Sequence, residues 1–200
     1  MIKAILFDLD GVIIHREGFF SERLAKQQNL DLETDVSPFF QGEFKDCLTG
    51  RKNLRDVLVP WLLKWKWQGD IDSFLTFWFE SERDIDNTML EEIENLKNKG
   101  VRIFLATDNE VNRLDYVLDT LGLRSYFEGI YGSALIGYKK SAREFWEKIL
   151  SSLPELKPEE ILFIDDDPKN TQLAAEFGLK TITFAKSEKL TDRLLEFEIK

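Results

Sequence analysis

Ile2-Lys3-Ala4-Ile5-Leu6-Phe7-Asp8-Leu9-Asp10-Gly11 is a short apolar run that ends abruptly in two aspartates and a glycine. A run of this length, apolar at nearly every position, is what a strand covered on both faces requires. Four more short runs follow much later, at 101–106, 129–131, 161–164 and 181–184. Helical periodicity fills the intervals near 87–99, 109–121, 141–152 and 169–177, with a last helix near 188–197. Gly100 after Lys97 and Lys99, and Gly178 after Ala174-Ala175-Glu176-Phe177, are helix stop signals. Strands alternating with helices predict an α/β protein: a Rossmann-like three-layer core around a mostly parallel five-stranded sheet.

Residues 15–85 break this rhythm. They hold no convincing strand and predict about four helices, near 18–29, 40–48, 53–67 and 71–82, with Pro60 expected to kink or split the third. Four of the five tryptophans lie here: Trp61, Trp65, Trp67 and Trp78. The division expected is an α/β core from residues 1–14 and 86–200, with a small all-helical cap, 15–85, inserted after the first strand.

At 200 residues, 43% hydrophobic and 32% charged, the chain has the profile of a soluble globular protein able to bury a core. The net charge of −10 argues against a nucleic-acid partner, because phosphate backbones are held by clustered Lys and Arg. It leaves room for a small anion, since one bound cation can reverse the local sign. Cys47 is the only cysteine and His15 the only histidine, so an internal disulfide and a His/Cys zinc site are both excluded. The apolar run before Asp8 is too short for a signal peptide or a membrane span. A cytoplasmic protein without a membrane partner, monomeric or weakly dimeric, is expected.

Ligands collect at the carboxyl ends of strands in open parallel sheets. Those ends carry Asp8, Asp10 and Gly11 after the first run, Thr107 and Asp108 after the second, and Asp165, Asp166 and Asp167 after the fourth. Lys139 and Lys140 lie before the helix near 141–152. Carboxylates packed this closely repel one another, and low dielectric worsens the conflict. Mg²⁺ resolves it, because that ion takes oxygen ligands and keeps positions for water and a substrate phosphate. A lysine offsets further charge, while a threonine hydroxyl and backbone N–H groups complete a phosphate cradle. A carboxylate so neutralised can attack phosphorus and form an aspartyl-phosphate. A second carboxylic acid two residues on can protonate the leaving alcohol and then activate water; crowding by like charges favours that role.

On these residues the chain resembles the haloacid dehalogenase-like (HAD) superfamily. Asp8-Leu9-Asp10-Gly11-Val12 is similar to its first motif, and Thr107 after Phe104-Leu105-Ala106 to its second. Lys140, between Gly137 and Phe145-Trp146, resembles the third, and Phe163-Ile164-Asp165-Asp166-Asp167-Pro168-Lys169-Asn170 the fourth. The resemblance covers nearly the whole chain, and the insertion sits where members with a helical cap carry theirs. It implies that Asp8 is the nucleophile and a Mg²⁺ ligand. It implies that Asp10 is the general acid/base, with its backbone carbonyl on the metal. Thr107 and Lys140 would bind phosphate, joined by backbone N–H groups at Leu9 and Asp108. Asp166 would be the main acidic metal ligand of the fourth motif, with Asp165 adjacent and Asp167 free to cap the following helix. Ser141 stands where proline often follows the lysine, so Lys139 is the alternative to Lys140. Asp108 replaces the usual Asn or Ser, which weakens anion binding unless its carboxylate points away.

The reaction implied is Mg²⁺-dependent hydrolysis of a phosphate monoester, with a small soluble phosphometabolite as partner. Asp10 argues against dehalogenation, since the dehalogenases of this superfamily lack the second aspartate. Two alternatives stand beside it: a sugar phosphomutase of the same fold, and a non-enzymatic aspartyl-phosphate switch. The lysine before the acidic cluster disfavours the switch, whose lysine comes last. Plainer readings cover other residues: Thr107 as a helix N-cap, His15 as a solvated linker residue, and the aromatics of 15–85 as that region's own core.

Overall fold

The computed structural model of the protein describes residues 1–16, 18–186, 189–197 and 199. Seven strands are found among them: β1 (Ala4–Phe7), β2 (Ile14–His15), β3 (Asp84–Ile85), β4 (Arg102–Thr107), β5 (Gly129–Gly132), β6 (Ile161–Asp165) and β7 (Lys180–Thr183). Five of them form one sheet in the order β5-β4-β1-β6-β7, and every pairing is parallel. The apolar runs predicted these strands because β1, the centre of the sheet, has all four residues fully buried.

Alternation along the strands supplies two cores. Ile5, Phe7, Ile103, Leu105, Leu162 and Ile164 face one side, and Ala4, Leu6, Phe104, Ala106, Ile161 and Phe163 the other. Each fully buried Leu, Ile or Phe here contributes about 2 kcal/mol of transfer free energy. The flanking helices bring matching stripes, such as Met89, Ile93 and Leu96 on one face and Phe145, Trp146 and Ile149 on the other. The order places β4 and β6 on either side of β1, so the loops after these three strands open side by side.

The helices among the described residues fall into two groups. Residues 20–80 hold α1 (Phe20–Gln28), α2 (Ser37–Gln41), α3 (Glu43–Cys47), α4 (Leu54–Lys64) and α5 (Ile71–Glu80), with a π-helical turn at Leu32–Val36. The core holds α6 (Asn87–Asn98), α7 (Val111–Asp115), α8 (Ser133–Ile136), α9 (Arg143–Ser152), α10 (Pro168–Glu176) and α11 (Leu190–Leu194). The first group packs around its own cluster, in which Phe39, Trp65 and Phe74 are fully buried and Phe20 stacks on Trp78 at 4.8 Å. None of the described helices is long and apolar enough to cross a membrane.

Several expectations need correction. Residues 15–85 do contain strand: β2 and β3 pair antiparallel through Ile14↔Ile85 and His15↔Asp84, where the chain leaves the core and returns. Two-residue strands carry no readable periodicity, so pattern reading passes over them. The helical region has one more helix than expected, because Gly42 divides 37–47 into α2 and α3. Pro60 does not split α4; Asp56, whose carbonyl loses its donor, and Pro60 are both exposed, so water can take that bond. The helix expected over 109–121 is α7 followed by a π-helical turn at Tyr116–Thr120. The last helix, expected near 188–197, is α11 and a 3-10 turn at Leu195–Phe197, while residue 188 lies outside the described residues.

Candidate active site

Asp8 follows the last residue of β1, and its backbone N–H still bonds the Ile164 carbonyl of β6 at 2.8 Å. Its carboxylate is therefore held between the neighbouring strand ends, and the residue is 5% exposed. Lys140 Nζ lies 2.6 Å from Asp8 Oδ1 and 2.6 Å from Asp165 Oδ2. The lysine is itself buried, and its loop is fixed from both sides: the Trp146 indole N–H donates to its carbonyl, and its N–H donates to Asp108 Oδ1, each at 2.8 Å. Lys139 points elsewhere, with Nζ 3.6 Å from Asp108 Oδ2. Asp108 thus turns its carboxylate onto the lysine loop.

Asp165 is fully buried and saturated, accepting from Lys140, from the Asp167 N–H at 2.7 Å and from the Asn170 amide at 3.2 Å. Asp166 projects over Gly11, whose φ of +91° and missing side chain are both needed, because a Cβ there would overlap the Asp166 carboxylate. Asp167 caps α10 by accepting from the Lys169 N–H at 2.9 Å. The Leu9 N–H donates to Asp8 Oδ1 at 2.7 Å, so this candidate phosphate donor is engaged with the Asp8 carboxylate.

Thr107 ends β4 and is 1% exposed, and Glu110, not Thr107, caps the following helix. Two residues that sequence reasoning missed join it. The Asn109 amide donates to Thr107 Oγ1 at 2.8 Å and to Asp10 Oδ2 at 2.9 Å. Arg113 Nη2 lies 3.7 Å from Asp10 Oδ1. Asn170 is a third missed residue. Asn109 stands two positions past a strand end and Arg113 in the first turn after it, so location at the sheet edge was the available signal. His15 is buried rather than solvated, with Nε2 3.2 Å from Asp86 Oδ2 at the β2–β3 crossing.

The Asp8 carboxyl is raised to about 8: burial pushes it up most, Lys140 pulls it back, and Asp165 and Asp10 add to the rise. Burial alone would lower the Lys140 ammonium pKa, but Asp8 and Asp165 raise it, so the lysine stays charged. Asp166 is raised by burial and then by Asp165. One lysine therefore leaves this acidic group short of positive charge. Asp8, Asp165 and Asp166 offer carboxylate oxygens within 4.8 Å of one another, an all-oxygen set that fits a hard divalent cation. The Asp10 side chain is turned away from that trio toward Asn109 and Arg113.

Above these groups lies a cavity of about 570 Å³. Its floor is Asp8, Asp10, Thr107, Lys140 and Asp166, and its opposite wall includes Phe20, Phe40, Phe44 and Trp78 of the helical region. That volume suits a small ligand.

A family model for haloacid dehalogenase-like hydrolases matches residues 2–178. The chain is 34% identical over 205 residues to the enolase-phosphatase E1 of Aquifex aeolicus, covering 91% of this chain and 89% of that protein. It is 30% identical over 186 residues to the GMP/IMP nucleotidase YrfG of Escherichia coli, covering 90% and 81%. In fold it is similar to a HAD family enzyme of Bacteroides thetaiotaomicron, with a TM-score of 0.85 at 20% identity over 96% of this chain and 98% of that one. The same enzyme has been solved in complex with magnesium and inorganic phosphate, and this form aligns with a TM-score of 0.82 at 21% identity over 96% and 99%. The family match begins in the run that leads into Asp8 and ends past the acidic cluster at 165–167, so the chain that carries this site belongs to the haloacid dehalogenase-like hydrolases.

Proposed function

We propose that the protein is a Mg²⁺-dependent phosphate monoester hydrolase that acts on a small phosphorylated metabolite through an aspartyl-phosphate on Asp8. One observation carries this reading: a buried carboxylate, held at 2.6 Å by a buried lysine, follows the central strand beneath a half-open cavity. Relatives whose names include phosphatase and nucleotidase support it.

In this reading residues 1–14 and 86–200 are the catalytic core and 15–85 the cap. Asp8 and Asp166 hold the metal, helped by the Asp10 carbonyl, and Asp165 holds Lys140 in place. Bound Mg²⁺ would supply the charge that keeps Asp8 ionised and would draw electron density from the phosphoryl oxygens. Thr107, Lys140 and the Asp108 N–H hold the phosphoryl group in line with Asp8. A carboxylate oxygen of Asp8 bonds phosphorus as the ester P–O bond breaks, and Asp10 gives its proton to the departing oxygen. Asp10 then takes a proton from water, whose oxygen bonds phosphorus and releases Asp8 and inorganic phosphate. The aromatic wall excludes bulk water from both steps.

The test is phosphate release from an aryl phosphate with Mg²⁺, followed by a panel of sugar phosphates, nucleotides and small acid phosphates. Release that chelator stops, and that Asp8→Asn lacks, is the expected result. Full activity in excess chelator would sink the metal-dependent mechanism, and isomer formation without free phosphate would turn the reading to a phosphomutase.

A further inference from the structure

Asp10 is gripped from both sides by residues of one turn. Asn109 donates to Oδ2, and the Arg113 guanidinium lies beside Oδ1. Arg113 is 4% exposed, and a guanidinium buried so deeply is costly unless its charge and its N–H groups are partnered. Its other partners come from the helical region. Nη1 donates to the Phe79 carbonyl at 3.2 Å, and Nη2 donates to the Glu82 carbonyl. Phe79 lies in the last turn of α5 and Glu82 just beyond it. That end of a helix carries its negative dipole pole, so a cation is well matched. The Arg113 guanidinium carbon also lies 5.7 Å from the Phe79 ring centre and 5.8 Å from that of Tyr116. Its backbone is anchored separately, because Glu110 accepts from the Arg113 N–H at the start of α7. One side chain, rooted in the core, therefore joins the Asp10 carboxyl to the end of α5.

We propose that Arg113 is the positioning residue for Asp10, holding its carboxyl at the leaving oxygen by bracing it against the end of α5. This rests on the phosphatase reading of the site. When the P–O bond breaks, the leaving oxygen takes the electron pair and needs the Asp10 proton; Arg113 itself exchanges no proton. The need for that proton depends on the leaving group. A 4-nitrophenolate departs readily without it, whereas phenolate or an alkoxide does not. A residue that acts through Asp10 must therefore matter more for the poorer leaving group.

The experiment compares kcat/KM for 4-nitrophenyl phosphate and phenyl phosphate, with Mg²⁺, in the wild type, Arg113→Lys, Asp10→Asn and the double variant. Lysine keeps the charge but cannot reproduce the fork that spans a carboxylate and two carbonyls. The expected result is a loss of about 30-fold or more on phenyl phosphate and under about 3-fold on 4-nitrophenyl phosphate, within the range of general acid catalysis. In the Asp10→Asn background, Arg113→Lys should cost less than about 2-fold further, because the two act as one unit. Equal losses on both esters, or losses that multiply in the double variant, would overturn the proposal alone. No phosphate release by the wild type from either ester would overturn the phosphatase reading and this proposal with it.

Discussion

Across the cavity, the strand ends of the core face aromatic side chains of the helical region, and the two surfaces are held in place by different forces. On the core side three charged groups have named polar partners: Lys140 has Asp8 and Asp165, Asp108 has the lysine loop, and Asp10 has Asn109 and Arg113. On the helical side Phe40 and Phe44 are held by ring contacts, with Trp78 within 5.2 Å of Phe44 and 5.4 Å of Phe40, while the Trp78 indole N–H also donates to Glu82 Oε2 at 3.1 Å. Directional bonds fix reacting atoms closely but tolerate almost no substitution. Apolar packing closes out water and allows other shapes of similar volume. The core side is thus built for fixed geometry, and the helical side for fitted shape.

The sharpest test of this contrast is Asp8→Asn. It should lower phosphate release by about 10⁴-fold or more while the fold is retained, measured by single-turnover kinetics and circular dichroism. Residual activity within tenfold of wild type would remove Asp8 from the chemistry.

Lys140→Met should cost about 10²–10³-fold in kcat. It should also lower stability by about 3 kcal/mol in urea unfolding, because it leaves Asp8 and Asp165 buried without their cation. Lys139→Met should change activity by no more than about threefold, since its ammonium is more exposed and its pair with Asp108 is longer. If the two variants reversed, the assignment of the loop lysine would be wrong.

Metal and pH come next. The Asp8 carboxyl is raised from 3.8 to about 8, so in the absence of metal the folded state holds that proton more tightly than the unfolded chain. Its contribution to stability is full below about pH 4 and is lost as pH rises toward 8. In chelator, the melting temperature of the wild type relative to Asp8→Asn should therefore fall across that window. Added Mg²⁺ should raise the wild-type value most at the alkaline end, where Asp8 is ionised. A difference that stays flat with pH would show that Asp8 titrates as an ordinary carboxylate.

The smallest effect belongs to the helical side. Phe44→Ala should raise KM for aryl phosphates by about 5–10-fold with little change in kcat, because it removes wall area and leaves the reacting groups alone. A loss confined to kcat would erase the distinction between the two surfaces.

Much of this was legible along the chain because it is local. An apolar run of four to six residues between helical patterns specifies a strand buried on both faces, which is why β1, β4 and β6 were found near their observed bounds. Their ends then name Asp8, Thr107 and Asp165–Asp167 by position alone. Where periods are too short to count, reading failed: β2 and β3 are two residues each, and the break at Gly42 was absorbed into one expected helix. Pro60 does not split its helix because water can reach the orphaned Asp56 carbonyl, which burial decides.

The local order of residues was sufficient for the fold class and for the strand-end groups, since hydrophobic period and turn chemistry act over a few neighbours. Which of Lys139 and Lys140 meets Asp8, where Asp108 turns, and that Arg113 reaches both Asp10 and the end of α5 required the folded chain. These are contacts between groups far apart in sequence. They exist because packing removes water from a shared volume and obliges each buried charge within it to find a partner.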